Sequence, residues 1–369
     1  MNVKEAVLHV ISMQLKKPFS THLGTVRSRE ALIVELIDRD GLSGFGEAVA
    51  FSSPWYTEET VRTCYHVIKD FLLPLLKESP GLKAEDAHSL FSSVRRNQMA
   101  KAGLEAALWD LQAKQAGKPL HSLLGGTRGR IGSGVAVGAK TVKESLLQIE
   151  GFLQQGYRRI KVKISPENDL PLLSAIRKEY PDIDLMADAN SAYTLKEKDR
   201  LKALDEFRLL MIEQPLAHDD IIDHSVLQKS ISTPICLDES IVSFSDARKA
   251  AELGSCKVIN IKAGRVGGLS ESKKIHDYCL QNGIQVWCGG MIEFGISRAH
   301  NIALASLPGF EIPGDISGSE RYWEEDIISP GVTVNEGCIS VPDGPGIGYE
   351  IDRRRLAEVT LMKEAVSLG

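Results

Sequence analysis

The stretch Arg159-Ile160-Lys161-Val162-Lys163-Ile164 decides how this chain is to be read. Long cations alternate with branched apolar residues. In a strand, a period of two sends Lys161 and Lys163 to one face and Ile160, Val162 and Ile164 to the other. A solvated edge strand could carry that pattern, but the residues downstream argue for an interior stave. From Lys163, charged residues recur at Asp188, Glu213, Asp238 and Lys262, at intervals of 25, 25, 25 and 24. Each stands at or near the C-terminal end of a β-rich run. Such runs are expected near 131–137, 159–164, 184–187, 210–213, 234–237, 258–261 and 285–287, with a weak eighth near 311–313. Helical patterns alternate with them. Seven or eight βα units suit a closed barrel, and a doubly wound open sheet is the rival. In a barrel, these strand ends form the rim where active sites are built.

The flanks read differently. Residues 3–13 and 31–37 are β-rich, a turn at 38–41 precedes a strand through 45–47, and helical patterns follow from about 57 and over 100–115. Residues 1–125 therefore read as an N-terminal α+β capping domain, completed by about 340–369, over a barrel at 126–339. The 332–341 region is expected to return to the cap. Loops at 18–25, with Ser20, and at 51–56, with Phe51, Trp55 and Tyr56, suit closure over a substrate. The aromatics serve equally well as packing anchors.

The 369 residues are 43% hydrophobic and 25% charged with a net charge of -5, which argues against disorder and against nucleic acid as a partner. Six cysteines are scattered singly, and neither a leader pattern nor a membrane-length apolar run is present, so a cytoplasmic protein is expected. The expected partners are a small-molecule carboxylate and further copies of the chain, as a dimer or higher homo-oligomer. No membrane partner is expected.

An aspartate after a strand often caps a helix, and a lone lysine there is often solvated. Five such residues on successive units ask for another account. Asp188, Glu213 and Asp238 supply oxygen without histidine, which favours Mg²⁺, with Mn²⁺ able to substitute. Lys161 and Lys163 crowd two ammonium groups together, which is expected to lower at least one pKa and free a base. Lys262 arrives from roughly the opposite side of the ring. A metal with opposed lysines suits removal of a proton beside a carboxylate and stabilisation of the enediolate.

At these residues the sequence resembles the enolase superfamily, in the branch with Lys-x-Lys on the second barrel strand. The matching motifs are Ala187-Asp188-Ala189-Asn190, Ile212-Glu213-Gln214-Pro215, Leu237-Asp238-Glu239-Ser240 and Asn260-Ile261-Lys262. Phe51-Ser52-Ser53-Pro54-Trp55-Tyr56, Trp287-Cys288-Gly289-Gly290-Met291 and Pro313-Gly314-Asp315-Ile316 resemble the o-succinylbenzoate synthase (MenC) and N-succinylamino acid racemase group. The resemblance implies a modified TIM barrel, (β/α)7β, with an α+β cap. It implies Mg²⁺ on Asp188, Glu213 and Asp238, an acid/base pair in Lys163 and Lys262, and Lys161 neutralising the substrate carboxylate. Asn190 and Glu239 would support the metal and Lys262. The implied reaction is dehydration of 2-succinyl-6-hydroxy-2,4-cyclohexadiene-1-carboxylate (SHCHC) to 2-succinylbenzoate, in menaquinone biosynthesis. Arg265, three residues after Lys262, resembles the racemising members and is expected to lower the pKa of that lysine. Trp287, Gly289, Gly290, Met291, Glu293, Phe294 and Ile316 are expected around the substrate, with Phe294 adding bulk. Dipeptide epimerases and muconate cycloisomerases share this metal and lysine pattern. Sugar-acid dehydratases fit less well, because Trp287 stands where histidine chemistry would be expected.

Overall fold

The computed structural model describes the backbone of residues 1–21, 24–139 and 141–369, and the side chains of all of these except residues 19–21 and 24. A long antiparallel hairpin, β1 (Val3–Thr21) with β2 (Gly24–Asp38), opens the chain, and β3 (Ser43–Ala48) extends it. The strand Thr360–Ser367 completes the sheet on the far edge of β1. The segment that returns to this sheet is therefore 360–367. The 332–341 region instead sends Cys338–Ser340 to pair with β4 (Arg130–Gly132), Ile339 opposite Ile131.

The helix Gln98–Gln115 lies against the sheet at backbone distance. Side chains are excluded at the crossing: a Cβ on Gly46 would stand 2.0 Å from the Gly103 carbonyl, and one on Gly44 would stand 2.4 Å from that of Ala107. The helix is buried almost along its length because its other side meets the second half of the molecule.

That half is a ring of parallel strands: β5 (Val135–Val137), β6 (Arg159–Lys163), β7 (Asp184–Asp188), β8 (Ile212–Glu213), β9 (Ile235–Leu237), β10 (Val258–Ile261) and β11 (Gln285–Cys288), adjacent in chain order. No strand forms at 311–313; just after it, Gly314 and Asp315 close the ring through single backbone bonds. Gly134 donates to Gly314 at 2.7 Å, Gly314 to Gly132 at 3.1 Å, and Asp315 to Cys288 at 3.0 Å. The architecture is a modified (β/α)7β TIM barrel with an α+β capping domain.

Inside the ring, a two-residue step along each strand changes the chemistry. Met186, Met211, Cys236, Val258 and Trp287 pack together as a dry floor. Two positions on stand Asp188, Glu213, Asp238, Asn260 and Gly289. Trp287 donates its indole N–H to Cys236 Sγ at 3.3 Å, so the polar end of the largest floor residue has a partner.

Candidate active site

Strand register brings the predicted residues to one level of the mouth. Lys163 pairs with Asp188 and Asp188 with Glu213 along the sheet. Asp238 follows β9 directly, and Lys262 follows β10 at the head of the short helix Ala263–Val266. Immediately after two of the carboxylates the backbone enters the left-handed region at non-glycine residues, Asn190 (φ 41°), Ser191 (φ 66°) and Gln214 (φ 40°). Such positions cost roughly 1–3 kcal/mol each and persist only where surrounding bonds fix them. Gln214 shows how: its Oε1 accepts from the Asp238 and Ser240 amides at 3.0 and 3.2 Å, and its Nε2 donates to Ser240 Oγ at 2.7 Å.

Every predicted lysine engages a predicted carboxylate. Lys161 Nζ lies 2.5 Å from Asp315, 3.0 Å from Glu213 and 3.3 Å from Asp188. Lys163 donates to Asp188 and to Asn190 Oδ1, both at 2.6 Å. Lys262 donates to Asp238 at 2.8 Å and to the Tyr56 hydroxyl at 2.9 Å. Arg265 takes the other oxygen of Asp238, bonds Tyr56 at 3.2 Å, and is held by the carbonyls of Asn260 and Ile241 at 2.7 and 2.8 Å. Asn190 also donates to Glu239 at 3.0 Å. Among the described residues no three His, Cys, Asp or Glu side chains stand grouped as for a metal ion.

Burial and neighbouring charge set the electrostatics. Burial, then the charges of Asp188 and Asp238, push Glu213 up to about 8. Burial beside Asp238 likewise raises Glu239 to about 7. The expectation that crowding lowers a lysine pKa fails at Lys161. Burial does pull its ammonium down, but Asp315, Glu213 and Asp188 outweigh it and hold the group well above its ordinary value. The same correction applies at Lys262. Burial and Arg265 lower it, whereas Asp238 and Tyr56 raise it by more.

The mouth opens into a recess with about 870 Å³ of empty space, counted out into open solvent. Of the predicted residues, Phe51, Trp55, Tyr56, Lys161, Lys163, Asp188, Asn190, Asp238, Lys262, Gly290, Met291 and Glu293 line it. Glu213, Glu239 and Arg265 stand behind that wall, in contact with residues that form it. The side chain of Ser20 lies outside the described residues.

Four expected contacts are not made. Trp287 is floor, fully buried beneath Arg159 and Lys161, whose cations lie 5.2 and 5.1 Å from its ring. Phe294 does not trim the recess. It is fully buried and stacked on Trp323 at 4.5 Å, and its amide is bonded to Glu47. Ile316 is buried, and its carbonyl accepts from Ser133 at 2.6 Å. Gly289 acts by lacking a side chain, since a Cβ there would stand 2.2 Å from Asn260 Oδ1 and 2.8 Å from Lys262 Cε.

Other residues were missed. Asp315 bridges Lys161 and Arg159, the latter at 2.6 Å. Arg159 shares the period-two face of Lys161 and Lys163, so a buried cation at the foot of that face was a signal for a compensating acid. Asn260 donates to Glu213 at 2.8 Å and sits two positions before Lys262, on the same face. Ser317, Arg321 and Tyr322 also line the recess, from a turn-rich segment without periodicity.

Known proteins match this arrangement over the whole chain. Residues 4–125 fit the family described as Mandelate racemase / muconate lactonizing enzyme, N-terminal domain, and residues 145–355 the one described as Enolase C-terminal domain-like. An o-succinylbenzoate synthase of Geobacillus stearothermophilus is 56% identical over 97% of this chain and 96% of its own. An N-succinylamino acid racemase of Thermus thermophilus is 44% identical over the full length of both. A crystal structure of an enolase-superfamily member from Listeria innocua superposes with a TM-score of 0.97, at 44% identity and full coverage of both chains. The chain belongs to the enolase superfamily, close to the o-succinylbenzoate synthases and N-succinylamino acid racemases.

Proposed function

We propose that this chain is an o-succinylbenzoate synthase that dehydrates SHCHC to 2-succinylbenzoate in menaquinone biosynthesis, and that it also racemises N-succinylamino acids. One observation carries the chemistry. Lys163 and Lys262 enter a single recess from strands four places apart in the ring, each bonded to a carboxylate of the same cluster. The named relatives, covered almost end to end, support the substrate class.

The donor chemistry fits a hard divalent cation, although the three carboxylates are turned to the lysines and are not grouped around one point. Asp188, Glu213 and Asp238 are three buried carboxylates on neighbouring strand ends, with no histidine among them. Glu213 is crowded by like charge, and Glu239 behind them has a buried Oε2 without a partner among the described residues. Asp188, Glu213 and Asp238 are the residues that would hold Mg²⁺, or Mn²⁺ in its place. The ion would supply Lewis-acid neutralisation of the substrate carboxylate. These carboxylates are also the partners of the lysines, so an ion held there would compete with the lysines for them.

In the synthase reaction, Lys163 takes the α-proton and leaves the pair of electrons in an enediolate. The C–O bond to the ring hydroxyl then breaks, with the proton returned from Lys163 to the departing oxygen as water. The ring becomes aromatic. Lys262 remains an ammonium that faces the anion throughout, and Lys161 compensates the substrate carboxylate. In racemisation, one lysine removes the α-proton and the other delivers a proton to the opposite face. Arg265, which resembles the arginine of the racemising members, supports this second activity because its charge beside Lys262 works to lower that lysine's pKa against the pull of Asp238.

The cap at 1–125, completed by about 340–369 over the barrel at 126–339, belongs to the same reading, as do cytoplasmic placement and a homo-oligomer of two or more copies. No helix among the described residues is long and apolar enough to cross a membrane. Support for the cap is the lid segment, where Phe51, Trp55 and Tyr56 form one ring cluster with centroids 4.6–6.3 Å apart and Tyr56 reaches Lys262.

The test is turnover of SHCHC followed by the absorbance of the aromatic product, with and without chelator. Activity should vanish on chelation and return with Mg²⁺ or Mn²⁺. Full turnover in metal-free protein would remove the cation from the account, and absence of SHCHC turnover in Mg²⁺-loaded protein would remove the synthase.

A further inference from the structure

Among the described residues four cationic side chains line the recess, and three of them are paired. Lys161, Lys163 and Lys262 each hold carboxylates. Arg321 has no carboxylate within ion-pair distance among the described residues, although it is half-buried. Its Nη2 donates to the carbonyl of Ala136 at 2.8 Å, and its guanidinium carbon lies 5.1 Å from the Phe152 ring and 5.7 Å from that of Tyr322. The head is therefore held by one hydrogen bond and two aromatic rings, and most of the five N–H donors of a guanidinium are left for something else.

The position is informative. Ala136 is the register partner of Lys161, so Arg321 stands one strand beyond the lysine face of β6, across the ring from Lys262. Its backbone is tied down on both sides: the Arg321 amide donates to Gly318 at 3.3 Å, and the Tyr322 carbonyl accepts from Lys16 at 2.9 Å. A substrate of the proposed class carries two carboxylates. The one beside the reacting carbon belongs with the lysines and the acidic cluster, and the other ends the succinyl chain some carbons away. Apart from the lysines, the wall is apolar at Phe51, Trp55, Met291 and Ile292, and its hydroxyls at Ser317 and Tyr322 carry no charge to compensate a buried carboxylate.

We propose that Arg321 forms the subsite for the distal carboxylate of the substrate, and so sets the preference for succinyl over uncharged acyl groups. The proposal rests on the synthase and racemase reading above. A planar fork facing a carboxylate makes two parallel charge-assisted bonds, which a lysine cannot reproduce.

The test compares N-succinylvaline with N-acetylvaline on the Mg²⁺-loaded protein, by racemisation and by calorimetric binding, in wild type, Arg321→Met and Arg321→Lys. In Arg321→Met the succinyl-over-acetyl ratio of kcat/KM should fall by at least about tenfold, carried by KM, since a hydrogen-bonded charge pair is worth that much or more. Arg321→Lys should recover part of the ratio. An equal loss on both substrates, as a packing role would give, overturns the proposal, and so does an unchanged ratio. Should wild type turn over neither compound, the racemase reading fails. The binding ratio then still decides on Arg321: a fall in the methionine variant supports the subsite, and no change refutes it.

Discussion

Lys163 and Lys262 share a recess but not an environment. Lys163 keeps 26% of its side chain open and holds one carboxylate and one amide oxygen. Lys262 keeps 9%, lies 4.9 Å from the Tyr56 ring, and shares Asp238 with the guanidinium of Arg265. The first has room to follow a proton from carbon to a leaving hydroxyl. The second is fixed in place, as suits a cation that stabilises charge on an enediolate. Dehydration needs one moving base and one fixed cation, whereas racemisation asks both lysines to exchange protons. The asymmetry therefore favours dehydration as the less demanding use of the site.

The largest effect expected is at Lys163. Lys163→Ala should lower synthase turnover by about 10²–10⁴-fold, the usual contribution of a general base. Turnover within about tenfold of wild type, measured by product absorbance, would give the base role to another group. Next, Lys262→Arg keeps a positive charge that does not leave as a proton. It should retain part of the dehydration while racemisation falls by at least about 10²-fold. Equal losses in the two assays would erase the distinction between the lysines. A smaller effect is expected at Tyr56, whose hydroxyl accepts from both Lys262 and Arg265. Tyr56→Phe removes a bond to charged groups, worth about 1.5–3 kcal/mol where fully lost, and should slow both reactions by roughly tenfold. An unchanged rate would make the tyrosine a packing residue.

The smallest effect lies behind the Lys262 side. Glu105, on the cap helix Gln98–Gln115, accepts from the amides of Leu269, at 2.5 Å, and Ser270, at 3.1 Å, at the start of the barrel helix Leu269–Gln281. Burial raises this carboxyl to about 7, above the 4.5 of an open glutamate. A carboxyl raised on folding binds its proton more tightly in the native state, so its contribution to stability is present below about 4.5 and is lost as pH rises towards 7. At pH 5 the native carboxyl is protonated. There, Glu105→Gln replaces its hydroxyl oxygen, which can still accept an amide, by an NH2 group that cannot, at a cost of about 1 kcal/mol. The deficit should narrow by pH 8, because the variant has no charge to desolvate. Calorimetric melting at both pH values measures it, and a deficit that widens with pH contradicts the assignment.

The sequence revealed the mouth better than its walls, for physical reasons. The five charged residues were visible because a barrel repeats its strand ends, and side chains that must converge recur with the period of the unit. Asp315, which decides the charge of Lys161, lies on the closing segment, where three backbone bonds replace a strand and no periodic pattern survives. Arg321 and Tyr322 follow in a short helical turn for the same reason. Phe294 shows the opposite error, since a large residue near a strand-end loop reads as a pocket wall until tertiary packing turns it onto Trp323. In the cap, the hairpin runs to Thr21 although alternation fades after Met13: the pairing of β1 with β2 is interrupted between Gln14 and Phe19, and in that break Lys16 and Lys17 lie exposed while the Lys16 amide bonds to Tyr322 instead.

The central claim, that two lysines of unequal freedom serve opposite faces of one α-carbon, is tested most directly by α-proton exchange in deuterated solvent. Each enantiomer of an N-succinylamino acid is followed by NMR and optical rotation in Lys163→Ala and Lys262→Arg. Each variant should exchange the α-proton of one enantiomer only, a different one in each, and neither should interconvert the pair. Racemisation in either variant at the wild-type rate, or exchange of the same enantiomer in both, would contradict it.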